Sequence, residues 1–437
     1  MSNSLVSKRS VMQIAWPIIL ANITIPLLGM VDTAVVGNLD NAALIGAIAI
    51  GSLVFGFVYR GFGFLRMSTT GLVAQADGAD NQLEAHITFY RSALLALAIA
   101  ALILLSQFFL IRFSLALMDG SVEVETAAKA YLQIRFWSAP ATLLNFVVIG
   151  FFLGLGKTRV TLFLQVLMNG LNIGLDLLFV LVFHWGVEGV AWATVLSEYV
   201  VLILGMFLIW RHIPMSSAIS RERLFDTDKL RQTLSLNGDL MVRTLCLLCL
   251  FATFTNQAAK IGDNVLAANS ILLQFITFSA FLLDGFALAT ERLVGKAIGA
   301  NDKKYYSAVV RTSMQLALMM AVTLSVVIWI FDGLAINMMT NVLPVRELAR
   351  EYSFWVIISP LVAFLTFQLD GIFIGATRSK EMRNAMIVSL LVFLVFCYAL
   401  QLWFGNHGLW LALWLSYPIR AATLMFYYPR INASIPA

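Results

Sequence analysis

The sequence predicts an all-α integral membrane protein of twelve spanning helices, arranged as two six-helix lobes. Composition, the spacing of the apolar stretches and an internal repeat predict it. The 437 residues are 60% hydrophobic and 12% charged, about half the roughly 25% charge of a soluble domain. Twelve apolar stretches recur, roughly 11–38, 45–72, 91–118, 127–154, 160–183, 187–210, 231–257, 264–292, 308–333, 349–375, 383–404 and 408–429. Each is about 20 residues or longer, the length a helix needs to cross a bilayer. Neither the two-residue alternation of a soluble sheet nor the ten-residue segments of a membrane barrel are found.

The first stretch follows a polar start, Met1 to Ser10, that carries Lys8 and Arg9. No small-residue cleavage site follows it, so it reads as an uncleaved first helix. The order of the remaining stretches fixes the topology. Of the 29 Lys and Arg residues, 19 fall on the side of the termini, 4 (Lys129, Lys260, Arg346, Arg350) on the opposite side, and 6 within spans or at their ends. The positive-inside rule then places both termini in the cytoplasm. The net charge of +5 thus reflects topology, and no basic face asks for a nucleic-acid partner.

The chain repeats itself at an offset near 221 residues. Leu72 to Ala79 matches Leu293 to Ala300 with five identities, Tyr131 parallels Tyr352, and Phe152-Leu153-Gly154 parallels Phe373-Ile374-Gly375. Six spans per copy is an even number, so both copies sit the same way up. Such parallel repeats are a transporter architecture, with the substrate site between the lobes. The polar run from Arg211 to Arg231 sits at the repeat boundary, which sets the lobes at 1–210 and 231–437 with a cytoplasmic linker at 211–230.

Carboxylates and amides inside spans are costly and mark function. In the fifth span Gln165, Asn169, Asn172 and Asp176 follow one another at intervals of four, three and four, which aligns them on one helix face. An amide seam between helices would look similar, but the added carboxylate favours function. Asp32 in the first span lies about 21 residues from the cytoplasmic start, and Asp176 about 16 residues into a span of the same direction, so both fall at or beyond mid-membrane. Thr194 in the sixth span reaches the same layer, with Glu198 one turn on. Two carboxylates facing each other in a low-dielectric pocket cannot easily both ionise. The group therefore reads as a proton site, or as a sodium site built from Asp, Asn and Thr oxygens. In the second lobe the intramembrane charges are Asp239, Arg243, Asp284 and Asp370, read with equal weight as a structural ion-pair network; Arg243 needs a carboxylate partner. Pro17 and Pro26 in the first span are candidate hinges.

Several classes of chemistry are excluded. No phosphate-binding G-x-x-x-x-G-K-[ST] loop occurs, no nucleophile–base constellation stands out, and no catalytic residue, metal site or cofactor is expected. Cys246 and Cys249 form a C-x-x-C without a βαβ unit or a second ligand pair, and read as packed small residues. The four histidines lie in or next to predicted loops.

The chain resembles the multidrug and toxic compound extrusion (MATE) family, and most closely its DinF-type branch. Trp16-Pro17 and Val31-Asp32-Thr33, Leu283-Asp284-Gly285-Phe286, and Asp370-Gly371-Ile372-Phe373-Ile374-Gly375-Ala376-Thr377-Arg378 carry the resemblance, which covers nearly the whole chain. It implies two six-helix lobes forming a V, and ion-coupled antiport of cationic, often aromatic or lipophilic, compounds across a bacterial inner membrane. It also implies a cation site at Asp32, Asn172, Asp176 and Thr194. Other branches carry an acid in the middle of the seventh helix, where this chain reads Arg243-Thr244-Leu245-Cys246-Leu247-Leu248. That departure favours protons over sodium as the coupling ion. A monomer in contact with membrane lipids is expected. The alternative is a flippase for a lipid-linked saccharide, which would line its cavity with several basic residues; here they are scattered over five spans.

Overall fold

A computed structural model describes residues 7–37, 42–116, 121–212 and 220–436, with side chains at all of these except 26–37, 42, 43, 45, 57, 60 and 212. Fourteen α-helices follow one another, and no strand occurs among the described residues. In order they are α1 (Lys8–Gly37), α2 (Ala42–Arg60), α3 (Phe64–Gly78), α4 (Gln82–Ala116), α5 (Val122–Phe136), α6 (Ala139–Gly154), α7 (Thr158–Asp176), α8 (Gly186–His212), α9 (Arg221–Leu224), α10 (Thr227–Ile261), α11 (Asp263–Gly299), α12 (Lys303–Met339), α13 (Leu343–Gly375) and α14 (Ser379–Ser434).

Fourteen helices make twelve crossings. Among the described residues nine helical stretches are long and apolar enough to span a membrane, and α5 with α6, bent by 49° at the Trp137-Ser138 junction, makes a tenth. The 56-residue α14 contains one non-helical residue, Gly405 (φ 53°), so it supplies two of the predicted spans. The 30-residue α1 supplies the last.

The repeat is written in the backbone. Left-handed φ angles occur at Asp80 and Asn301, at Gly156 and Thr377, and at His184 and Gly405. The members of each pair are 221 residues apart (301 less 80, 377 less 156, 405 less 184). The capping chemistry repeats at the same offset: Glu84 N donates to Asn81 Oδ1 (3.0 Å), and Tyr305 N donates to Asp302 Oδ1 (2.8 Å). So do two close helix crossings. A Cβ on Gly150 would stand 2.7 Å from Arg66 O, and one on Gly154 2.7 Å from the Val73 side chain; on Gly371 and Gly375 it would meet Ala287 O at 2.3 Å and Glu291 O at 2.4 Å. Both G-x-x-x-G stretches let backbones approach where no apolar driving force separates helix from lipid.

Contacts divide the described chain into two units. One comprises 20–77 and 81–234; the other comprises 1–19, 78–80 and 235–437. In the second unit Gly285 of α11 lies against Ile19, where a Cβ would meet the Ile19 side chain at 2.3 Å, and Ile18 and Ile19 are buried. Helix α1 therefore passes from one unit to the other after Ile19, two residues beyond Pro17. In the first unit Arg91 on α4 holds the middle of the polar run, at 221–224. It donates to Leu224 O (3.2 Å), to Arg223 O and to Glu84 Oε1 (2.8 Å).

Candidate functional site

The polar column of the fifth span lies on α7. Asn169, Asn172 and Asp176 are at most 4% exposed, and Gln165 is half-buried. Because the column occupies one helix face, it meets its partners as a set. Asn169 Nδ2 donates to Thr24 Oγ1 of α1 at 2.6 Å, while the Thr24 hydroxyl donates back to Ala21 O at 2.7 Å. The Asn172 amide sits 3.1 Å from Thr194 Oγ1 of α8. Turned so that every group finds a partner, its NH2 donates to Asp176 Oδ2 (3.3 Å) and its oxygen accepts from Thr194 Oγ1 (3.1 Å). Asn172 thus bridges the carboxylate and the hydroxyl. Asp176 is the last α-helical residue before a π-helical stretch, Leu177–Val182, a widening of the coil that recurs at functional sites. Of the predicted set, Asn172, Asp176 and Thr194 come together. The side chains of Asp32 and Pro26 lie outside the described residues; Pro17 is buried in the helical run of α1.

Glu198 belongs elsewhere. It pairs with Arg135 (Nη1 to Oε1, 3.4 Å) and accepts from Thr142 Oγ1 on its other oxygen, and Asn145 Nδ2 donates to its main-chain oxygen at 2.9 Å. The Arg135 guanidinium lies 3.8 Å over the Phe55 ring, which helps to hold a charge that burial disfavours. Glu198 is one turn from Thr194, but its carboxylate is engaged by α5 and α6.

The four charges of the second lobe separate into two groups. Asp239 accepts from Arg383 Nη1 (2.6 Å) and Ser379 Oγ (2.8 Å). Arg243 Nη2 reaches Asp370 Oδ2 at 2.6 Å, and Arg420 Nη2 converges on the same oxygen. Asp284 and Glu291 act on Arg243 through space. Two guanidiniums thus share one carboxylate oxygen, with all three side chains no more than 10% exposed. Sequence reasoning missed Thr24, Arg135, Thr142 and Arg420 as partners. The two arginines carried a signal, since each is a cation inside a span; the two threonines carried none.

No group of three or more His, Cys, Asp or Glu able to hold a metal occurs among the described residues. His86 is buried in the second turn of α4, next to the loop that precedes it. His407 follows the Gly405 kink and accepts from Trp355 Nε1 at 3.1 Å.

The MatE family profile matches residues 17–178 and 240–399, one stretch in each repeat. The chain belongs to the MatE family. Among MatE relatives, the DNA damage-inducible protein F of Escherichia coli is 40% identical over 420 residues, covering 96% of this chain and 91% of its own. A probable multidrug resistance protein NorM of Bacillus cereus is 24% identical over 87% of this chain and 84% of its own. An outward-facing structure of a multidrug resistance MATE family transporter superposes with a TM-score of 0.88 at 20% identity, covering 98% of this chain and 97% of that one. The MatE fold of twelve helices in two lobes is therefore that of this chain, a multi-pass membrane transporter.

Proposed function

We propose that this protein is a secondary active multidrug exporter that exchanges cationic or lipophilic aromatic compounds for protons by alternating access. The lobes are 1–210 and 231–437, joined at 211–230, in a bacterial inner membrane with both termini cytoplasmic. The observation that supports it most is the buried Asn172–Asp176–Thr194 cluster. A carboxylate held by an amide and a hydroxyl inside a span can take up and release a cation.

The Asn169–Thr24 hydrogen bond supports a common level for positions 32 and 176. Helices α1 and α7 run the same way in the twelve-span order. Asp32 is eight residues beyond Thr24, about 12 Å, and Asp176 seven beyond Asn169, about 10 Å. Positions 32 and 176 therefore fall at similar levels along their helices, which supports a shared site. Proton arrival at Asp32 removes a charge that attracts a bound cation and frees α1 to bend at Pro17, where the helix passes between units; drug and proton then compete. By linkage, cationic drug binds the ionised site better, so affinity falls as pH is lowered. A binding titration between about pH 5.5 and 8.5 tests this. Wild type should lose affinity at the acid end, and Asp32→Asn should flatten the profile. Identical profiles for both proteins would remove Asp32 as the coupling residue. In proteoliposomes a pH gradient should drive transport without sodium; strict dependence on a sodium gradient at constant pH would overturn the choice of ion.

A further inference from the structure

A cleft of about 790 Å³ lies between α4 and α5 in the first unit and shares no lining residue with the polar column of α7. The cleft ends at Trp137, where α5 and α6 meet at a 49° bend. Helix α6 packs closely on α4, whereas α5 leans toward α2 and α8, so a wedge opens beside α4. Both walls have helical spacing. On α5 the lining residues Glu125, Lys129, Gln133 and Trp137 recur every fourth position, one stripe about 18 Å long. One leaflet of the hydrocarbon core is about 15 Å deep. On α4 the facing wall carries Arg112 and, one turn deeper, Phe108 and Gln107.

The two cations at the mouth require explanation. They lie toward the membrane face opposite the termini, where basic residues are scarce. The others there have structural work: Arg346 donates to Thr340 O (2.6 Å) and Asn337 O (2.9 Å), Arg350 donates to Asn337 Oδ1 (2.9 Å), and Lys260 sits in the last turn of α10. Arg112 and Lys129 are exposed and make no ion pair among the described residues. Among the described lining residues one carboxylate, Glu125, stands with them, so that lining sums to +1. Below it the amides of Gln107 and Gln133 lie one turn further in. Phe108 stands beside Gln107 on α4, Trp137 lies one turn below Gln133 on α5, and apolar surface continues along α4 at Leu105 and Leu102, which are 82% and 66% exposed.

We infer that this cleft binds one anionic phospholipid of the surrounding leaflet, with its phosphate between Arg112 and Lys129 and an acyl chain along Phe108, Trp137 and Leu105. The order of groups matches the ligand: charge at phosphate depth, amide donors beside the Phe108 ring at the depth of the ester carbonyls, and Trp137, Leu105 and Leu102 beneath. An arginine and a lysine about one to two turns inside a helix end reach a headgroup while their stems stay in apolar surroundings. A cationic drug is disfavoured by the same +1.

Native mass spectrometry of the purified full-length protein tests this. The protein is titrated with phosphatidylglycerol, with phosphatidylcholine of the same chains, and with glycerol phosphate alone. Wild type should retain one phosphatidylglycerol in preference to phosphatidylcholine and bind no glycerol phosphate. The doubly neutralised protein, Arg112→Gln with Lys129→Gln, should lose that tight lipid by about tenfold or more in affinity, as expected for two interfacial cations. Arg211→Gln, which removes an exposed cation at the far end of α8, should keep it. Equal retention of the two lipids by wild type, or an unchanged preference in the double variant, would overturn the proposal. Capture of glycerol phosphate alone would overturn the lipid in favour of a free phosphate ester. Both altered side chains are exposed, so folding, read by gel filtration, should be unaffected.

Discussion

Asp370 is the residue whose neutralisation should damage the second unit most. Its Oδ2 receives both Arg243 and Arg420, and all three side chains are at least nine-tenths buried. With the carboxylate present, two positive charges share one negative. Asp370→Asn leaves two guanidiniums facing each other in an apolar interior. Breaking a buried pair by removing one partner costs about 3–5 kcal/mol. Asp284 and Glu291, which act on Arg243, place this case toward the lower end. Arg420→Met has the opposite effect on the balance, because Arg243 and Asp370 remain as a one-to-one pair and the replaced volume is similar. Its cost should stay below about 1.5 kcal/mol. For a unit of this size a kcal/mol moves the midpoint by about 2–4 °C, so Asp370→Asn should lower it by about 6 °C or more and Arg420→Met by a few degrees at most. The double variant, with one unpaired guanidinium, should fall between them. Thermal unfolding of detergent-purified protein at one scan rate measures all three. Equal midpoints for Asp370→Asn and Arg420→Met would show that the cluster is not charge-limited and would refute the reasoning.

Asp176→Asn should abolish efflux in a pump-deficient host while membrane expression is kept; wild-type efflux from the reconstituted variant would reduce the column to a packing seam. Gly371→Ala drives a methyl group onto a backbone oxygen 2.3 Å away and should destabilise by about 1–3 kcal/mol, whereas Gly170→Ala, with nothing within 4 Å, should be neutral or stabilising in the same melt. His184→Gly removes an exposed side chain from a left-handed position (φ 57°) and should raise the midpoint, by about 1 kcal/mol of relieved strain; a lower midpoint would place the His184 side chain among the stabilising contacts.

The bilayer made much of this fold legible. A helix that must satisfy every backbone group internally shows itself as an apolar run of fixed length, so the span order follows from composition. What the sequence hid were the breaks. The bend at Trp137-Ser138 leaves the apolar run intact, whereas the kink at Gly405 falls between the predicted spans 383–404 and 408–429; α10 to α12 extend well beyond their apolar cores because polar flanking turns stay helical. In the candidate site, Asn172, Asp176 and Thr194 were legible because polar atoms at helical spacing stand out against an apolar background. Glu198 was misleading: it lies on the same face of α8 as Thr194, yet its carboxylate belongs to Arg135. Pairings between distant helices, such as Arg420 with Asp370, depend on how helices pack, and one-dimensional spacing carries no record of that.

The 221-residue register has one more consequence. Carried along α7, it places Phe393 where Asn172 stands and Cys397 where Asp176 stands, and both are fully buried in α14. One molecule therefore contains the same helix twice, once with an amide and a carboxylate inside and once with a benzyl ring and a thiol. The second copy is an internal control for the first. It shows that a helix in this frame packs well with apolar groups at both positions, so the architecture does not demand the polar ones. Removing them should leave the scaffold standing and take away only what the scaffold carries.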